Sequence, residues 1–269
     1  MGNTHQAASL LVAQISDLHL FGDERQNLLG WNTWASLIKI MQQLERSTPR
    51  PDIILLTGDL SQDETEASYK KIVRYFAATG IPTYWLPGNH DHVPTMKRVL
   101  DQPPVYADKS FYKGGWQFLL LNTNVPGQVY GALSTDNLAW LEAQLTTLPS
   151  HQPTLISMHH PPFWVGSPWL DQSGLQNTEA FFKIIDQYPQ VQLVLVGHVH
   201  QEFECIRNDV TYLSTPSTCI QFMPHSPNFA LDNNQPGFRL VWLHPDGTFE
   251  TAVERVGVKQ MLNLTAQGY

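Results

Sequence analysis

Gln192-Leu-Val-Leu-Val196-Gly197-His198-Val199-His200 is the stretch from which the fold of this chain can be read. Its first five residues read as a short strand, and Gly197 allows a tight exit from it. Alternate residues of an extended chain point the same way, so His198 and His200 are presented together. The same design recurs upstream. Leu10 to Ile15 runs into Asp17-Leu18-His19, and Ile53 to Leu56 runs into Gly58-Asp59. Thr83 to Leu86 leads to Gly88-Asn89-His90-Asp91, and Thr154 to Met158 leads to His159-His160-Pro161. Between these runs lie helical spacings: Trp34 to Leu44, Ala67 to Phe76, a helix capped by Ser134 carrying Leu138, Leu141 and Leu145, and Glu179 to Ile185. A further strand is expected over Gln117 to Leu121.

Strand–helix alternation of this kind predicts an α/β fold, and in open α/β sheets ligands bind outside the carboxyl ends of the strands. Five strands deliver Asp, Asn or His at that edge, so neighbouring strands would bring these side chains to one site. Taken singly, each signal is weak. Asp-X-His after a strand can be an ordinary loop, and Gly-Asn is a turn former. Their combination, each after a strand, points to metal. Carboxylate, imidazole and amide oxygen suit iron, manganese, zinc or cobalt better than a thiolate-seeking ion. Asp17, His19, Asp59, Asn89, His159, His198 and His200 are too many ligands for one tetrahedral site. Asp59, alone after its strand, is the natural bridge between two ions.

After His200 the pattern changes. Tyr212-Leu213, Phe238 to Trp242 and Phe249 to Val253 read as strands without helices between them, an antiparallel β-rich section. One domain is expected over 9–269, with an α/β body over about 9–200 and the β-rich section over about 201–257. Residues 1–8 and the C-terminal tail are expected to be flexible.

The bulk numbers set limits. The 269 residues are 42% hydrophobic and 15% charged, which suits a packed core. The net charge is −8 with no run of Lys and Arg, which argues against nucleic acid as a partner. An anionic substrate then needs positive charge from bound metal. The two cysteines, Cys205 and Cys219, make no disulfide framework. No secretory signal or membrane span is visible, so the expectation is a cytoplasmic protein with no membrane partner. The β-rich section offers a surface for a homodimer.

Asp17-X-His19, Gly58-Asp59, Gly88-Asn89-His90-Asp91, His159 before a Pro-rich turn and Gly197-His198-X-His200 resemble the calcineurin-like metallophosphoesterases. Leu29-Gly-Trp-Asn-Thr-Trp34, Ser167-Pro-Trp-Leu-Asp-Gln172, Thr215-Pro-Ser-Thr-Cys-Ile-Gln-Phe222, Pro236-Gly-Phe-Arg239 and Gly268-Tyr269 are similar to the bacterial class III cyclic AMP phosphodiesterases, the CpdA/Icc subgroup. The resemblance implies a four-layer α/β/β/α sandwich with a dimetal centre at the strand ends. One ion would be held by Asp17, His19, Asp59 and His200, the other by Asp59, Asn89, His159 and His198.

The implied reaction is hydrolysis of 3',5'-cyclic AMP to 5'-AMP by a metal-bridging hydroxide that attacks phosphorus. Iron and manganese are the expected ions, zinc and cobalt the alternatives. Two divalent ions set against Asp17, Asp59 and a hydroxide leave about one net positive charge for a phosphodiester anion. Asp59 and His90 are the expected catalytic residues. His90 would stabilise or protonate the leaving oxygen, or else orient Asp59 or Asn89. His19, Asn89, His90 and His200 would also face the substrate, with His160 beside the pocket. Phe163, Trp164, Trp169 and Phe222 are candidates to stack the base, or to pack the loop or a subunit interface. Asp63 and Asp91 are expected behind the ligands. Two alternatives stay open: a broader metallophosphodiesterase acting on other cyclic nucleotides, small phosphodiesters or phosphomonoesters, and a non-catalytic binding module of the same fold.

Overall fold

The computed structural model describes residues 9–268. The expectation for 1–8 and the Tyr269 end of the quoted tail lie outside the described residues. Strands β1 (Leu10–Ile15), β2 (Ile53–Thr57), β3 (Thr83–Leu86) and β4 (Val105–Tyr106) share one sheet. Strands β5 (Ser110–Lys113), β6 (Trp116–Leu120), β7 (Thr154–Met158), β8 (Val191–Val196), β9 (Phe203–Arg207) and β10 (Val210–Ser214) form a second. The small pair β11 (Gln221–Phe222) and β12 (Leu231–Asp232) stands apart. Strands β13 (Gly237–Leu243) and β14 (Phe249–Arg255) complete the first sheet, in the order β14-β13-β1-β2-β3-β4. The second runs β5-β6-β7-β8-β10-β9.

The helices are α1 (Thr33–Glu45), α2 (Glu66–Thr79), α3 (Val93–Val99), α4 (Thr135–Thr147), α5 (Pro168–Asp171) and α6 (Thr178–Ile185). Side chains alternate across a strand, and β1 shows what this builds. Leu10 and Val12 face the second sheet, where they meet Phe118, Leu155 and Leu195. Leu11, Ala13 and Ile15 face α1 and α2, where they meet Leu37, Ile40, Tyr69 and Phe76. The outer face of the second sheet packs Ile156, Met158 and Val194 against Leu141 and Leu145 of α4 and Phe181 of α6. The result is the expected four-layer α/β/β/α sandwich. Strands buried on both faces read as continuous apolar runs, which is why they were visible in the sequence.

Several expectations need correction. Tyr212-Leu213 is antiparallel on one side only: β10 pairs antiparallel with β9 but parallel with β8, Tyr212 opposite Cys205 and Val194. The cause is the hairpin before it. Asn208 and Asp209, at φ 48° and 63°, turn β9 back into β10 beside β8. The chain then crosses to the first sheet, where β13 runs antiparallel to β1. The β-rich section is thus divided between both sheets. The C-terminal tail, expected to be flexible, is pinned. Gln260 exchanges hydrogen bonds with the backbone of Asn32, and Asn263 N donates to Leu29 O at 2.9 Å. Among the described residues, no helix is long and apolar enough to cross a membrane.

Candidate metal centre

The parallel strands β1, β2 and β3 of one sheet and β7 and β8 of the other end at the same rim. The polar residues that follow them meet there, in the cleft between the two sheets. Asp17, His19, Asp59, His159, His198 and His200 are all buried, while Asn89 and His90 are half-buried. Asp17, His19, Asp59, His198 and His200 adopt left-handed backbone, with φ of 55°, 46°, 51°, 69° and 49°. Non-glycine residues pay about 1–3 kcal/mol each for such conformations, and structures keep them where a site needs them.

The donor atoms interlock. Asp17, His19 and His200 form one close group, Asp17, Asp59 and His159 another, and His19, Asp59 and His90 a third, each with donor atoms within 4.8 Å of one another. His200 Nε2 lies 3.3 Å from Asp17 Oδ1, and His159 Nε2 lies 3.2 Å from Asp59 Oδ2. His19 Nε2 lies 3.8 Å from Asp59 Oδ2. His198 Nδ1 faces Asn89 Oδ1 at 3.0 Å. Asp59 belongs to two of these groups.

Hydrogen bonds behind the site set which imidazole nitrogen looks inward. His159 Nδ1 donates to Thr57 O and His200 Nδ1 to Ile220 O, both at 2.8 Å. Carbonyls only accept, so both Nδ1 atoms carry protons. His19 Nδ1 donates to Gln62 Oε1 at 2.6 Å. Such outward bonds are what orient metal-ligating histidines. His19 Nε2 and His200 Nε2 consequently face each other across the site at 3.3 Å. Asp59 Oδ2 and His159 Nε2, both buried, are close to each other but lack a hydrogen bond of good geometry.

Electrostatics points the same way. Burial alone would raise the Asp59 carboxyl, but His159, His90 and His19 hold it well below the usual carboxylate range. Asp17 is lowered likewise: burial opposes, and His200 and His159 prevail. Burial disfavours charge on His159, yet Asp59 and Asp17 push it up to about 9. Two buried carboxylates thus recruit the one proton they can reach. This donor set fits two divalent metal ions, which would displace that proton on binding.

The remaining expectations divide. Asp91 takes hydrogen bonds from the backbone of Leu60, Ser61 and Gly88 and from Tyr69 Oη, and so braces the loop behind Asp59. Burial and the Asp59 charge raise its carboxyl to about 7. Asp63 ties Gly22 and Thr65 in a turn. His160 is fully buried with both ring nitrogens engaged, on Thr123 Oγ1 at 2.8 Å and Val129 O at 3.1 Å. It anchors the 121–131 loop, and one of its ring nitrogens also groups with donor atoms of His159 and His198. Phe222 is 2% exposed and stacks flat on His200, with centroids 4.1 Å apart at 11°. It therefore packs against the His200 ring and is closed to solvent. Trp169 packs edge-on against Phe222 and Phe229, and Phe163 stacks on Phe203. Trp164 differs, being 81% exposed on the loop after His160.

Sequence reasoning missed the orienting residues. Gln62, Asn124 and Ser173 are single polar side chains in loops, with nothing in their spacing to mark them. Asn124 Nδ2 donates to Gly88 O at 2.6 Å and so holds the loop that carries Asn89 and His90.

Residues 10–202 match the family model described as Calcineurin-like phosphoesterase. A 3',5'-cyclic-nucleotide phosphodiesterase of Nostoc sp. is 49% identical over 245 residues, covering 91% of this chain and 92% of that protein. The 3',5'-cyclic adenosine monophosphate phosphodiesterase CpdA of Escherichia coli is 39% identical over 264 residues, covering 97% and 96% respectively. Among solved structures, a dimetal phosphatase from Danio rerio superposes with a TM-score of 0.66 at 15% identity, over 93% of this chain and 100% of that one. A purple acid phosphatase from yellow lupin seeds gives 0.68 at 15% identity, over 93% of this chain and 52% of that one. At such identities the structures share a fold and no more is inferred from them.

Proposed function

The chain belongs to the calcineurin-like phosphoesterase family, and from that premise we propose that it hydrolyses 3',5'-cyclic AMP to 5'-AMP with two divalent metal ions, iron or manganese before zinc or cobalt. The observation that carries this reading is the pair of donor groups joined through Asp59. Asp17, His19, Asp59 and His200 would hold one ion, and Asp59, Asn89, His159 and His198 the other. The substrate follows from the likeness to cyclic-nucleotide phosphodiesterases. The stretch from residue 9 onward is taken as one working domain, because β13 and β14 extend the sheet that presents Asp17.

Ions so held would polarise the phosphoryl oxygens and lower the pKa of water towards about 7. The chain's own part is positioning and proton handling. In forming 5'-AMP, the P–O3' bond breaks, water contributes a hydroxyl to phosphorus, and O3' receives a proton. His90 would serve that last step. It is half-buried at the mouth of the site, its backbone N–H donates to Asp59 Oδ1 at 2.8 Å, and its ring stands edge-on to His19 at 5.0 Å. General-acid catalysis contributes about 10²–10⁴-fold, so His90→Ala should lower kcat by that range while both ions remain bound. Metal analysis beside single-turnover rates checks it, and a variant with full turnover removes the role.

Of Phe163, Trp164, Trp169 and Phe222, Trp164 is the exposed one, so it is the candidate to stack adenine. Trp164→Ala should raise KM about fivefold, the lower end of the stacking range, with kcat unchanged. A wild-type KM would leave the ring without a part in binding.

The reading as a whole is tested on a panel of cyclic AMP, cyclic GMP, 2',3'-cyclic nucleotides and an aryl phosphodiester, with and without chelator. Metal-dependent conversion of cyclic AMP to 5'-AMP in preference to the rest supports it. Preference for another phosphodiester moves the substrate, and absence of any turnover by the metal-loaded chain ends the enzymatic reading.

A further inference from the structure

We infer that Ser173 is a positioning residue that sets the tautomer of His198 and thereby keeps open the ion position shared with Asn89. This rests on the reading above that His198 and Asn89 hold the same ion. The other three histidines of the site anchor Nδ1 outward, on Gln62, Thr57 and Ile220, and turn Nε2 inward. His198 is reversed. Its Nε2 lies 2.8 Å from Ser173 Oγ, and its Nδ1 faces Asn89 Oδ1 at 3.0 Å.

Ser173 has one hydroxyl proton, and we assign it to Leu170 O, 2.8 Å from Oγ. Towards His198 the hydroxyl can then only accept, so Nε2 carries the imidazole proton. A neutral imidazole has one N–H, which leaves a lone pair on Nδ1. Asn89 Oδ1 is also an acceptor. Two acceptors therefore point at one another, an arrangement that favours a cation between them and disfavours a direct bond. Without Ser173 the proton can move to Nδ1 and donate to Asn89 Oδ1. That closed pair satisfies both groups and competes with the ion.

Ser173 is held well enough for this task. It follows α5 in an excursion between β7 and α6. That excursion is tied at both ends, with Val165 N donating to Asp171 Oδ1 at 2.7 Å, Leu175 N to Pro161 O at 2.9 Å, and Gln176 N to Gly131 O at 2.8 Å. The same excursion carries Trp164. His198 is thus oriented by a loop side chain, whereas His159 and His200 are oriented by backbone carbonyls.

The test uses the full chain, stripped of metal and titrated with Mn²⁺ against a competing chelator. Wild type should take two ions. Ser173→Ala should weaken one of the two dissociation constants about tenfold and leave the other within twofold, the scale expected when a partner behind a ligand is lost. Ser173→Thr, which keeps the hydroxyl, should restore it. In the metal-free protein, ¹⁵N shifts of His198 should report an Nε2–H tautomer in wild type and in the Thr variant, with Nδ1–H populated in the Ala variant. High Mn²⁺ should recover turnover in Ser173→Ala, which a folding defect would not allow, and melting of the metal-free form checks the fold. Unchanged constants and tautomer in the Ala variant overturn the inference while leaving the dimetal reading intact. A wild type that binds fewer than two ions overturns both.

Discussion

Asp59→Asn should lower cyclic AMP hydrolysis at least about a thousandfold and leave the protein with fewer than two bound ions. The change removes charge and keeps size. Asn can still accept the His90 backbone N–H through Oδ1, so the loop that carries Asn89 and His90 should stay where it is. What is lost is the anion between the two halves. Asp59 Oδ2 lies 3.2 Å from His159 Nε2 and 3.8 Å from His19 Nε2, and it is the atom common to both donor sets. An amide nitrogen there is a donor and cannot bridge. Metal catalysis contributes several kcal/mol of transition-state stabilisation, and each 1.36 kcal/mol is a factor of ten in rate, so loss of one ion accounts for the expected fall.

Stability should move less. His159, pushed up to about 9 by the two carboxylates, loses its nearer one and can shed its proton instead of remaining a buried unpaired charge. Metal content by elemental analysis, kcat at saturating substrate and melting of the metal-free form separate these effects. Asp59→Asn with two ions and more than a hundredth of wild-type turnover would sink the bridging role.

The sequence singled out the polar residues that cluster at the strand ends and hid those that bond to them from behind, and the reason is physical. Strands β1, β2, β3, β7 and β8 are buried nearly throughout, so each reads as a mainly apolar run, and a cluster of Asp, Asn or His just after it is conspicuous. Ligands at strand ends therefore carry a local signature. Gln62, Thr57 O, Ile220 O and Ser173 act on those ligands from elsewhere in the chain, and Ser173 bonds a residue 25 positions away. No periodicity encodes such a contact. Strand partners were hidden for the same reason: an alternating run such as Val210–Ser214 shows that a strand exists but not that β8 is its neighbour. The hairpin before it did have a local signal, Asn208-Asp209, whose side chains tolerate the left-handed backbone that a two-residue turn requires. Residue type also misled. Phe222 and Trp164 are both aromatics in loops near the site, yet one is packed on His200 and the other is open to solvent. Burial, not composition, separates them.

Gly88→Ala is the second large effect to expect, and it acts through space, not charge. A Cβ on residue 88 would stand 2.1 Å from Asp59 Oδ1, 2.5 Å from Asp59 N and 2.8 Å from Asp59 Cγ. One of these atoms is backbone, and the carboxylate is fixed by the His90 amide, so the clash has no flexible side-chain end to absorb it. Either Asp59 turns away from His159, or the Gly88-Asn89-His90-Asp91 loop moves outward. The second course strains three bonds: Gly88 N to Asp91 Oδ2, Asn124 Nδ2 to Gly88 O, and His90 N to Asp59 Oδ1. Both courses separate Asp59 from Asn89 and His90, and misplacement by about 1 Å costs roughly a hundredfold in rate. Overpacking adds about 1–3 kcal/mol of destabilisation. The expected result is a hundredfold or greater fall in kcat, weaker binding of the ion assigned to Asn89 and a lower melting temperature. Gly257→Ala is the matched control, because a Cβ there meets nothing within 4 Å, and its stability should stay within about 0.5 kcal/mol of wild type. If Gly88→Ala turned over cyclic AMP at the wild-type rate, the close approach of this loop to Asp59 could not be what aligns the site.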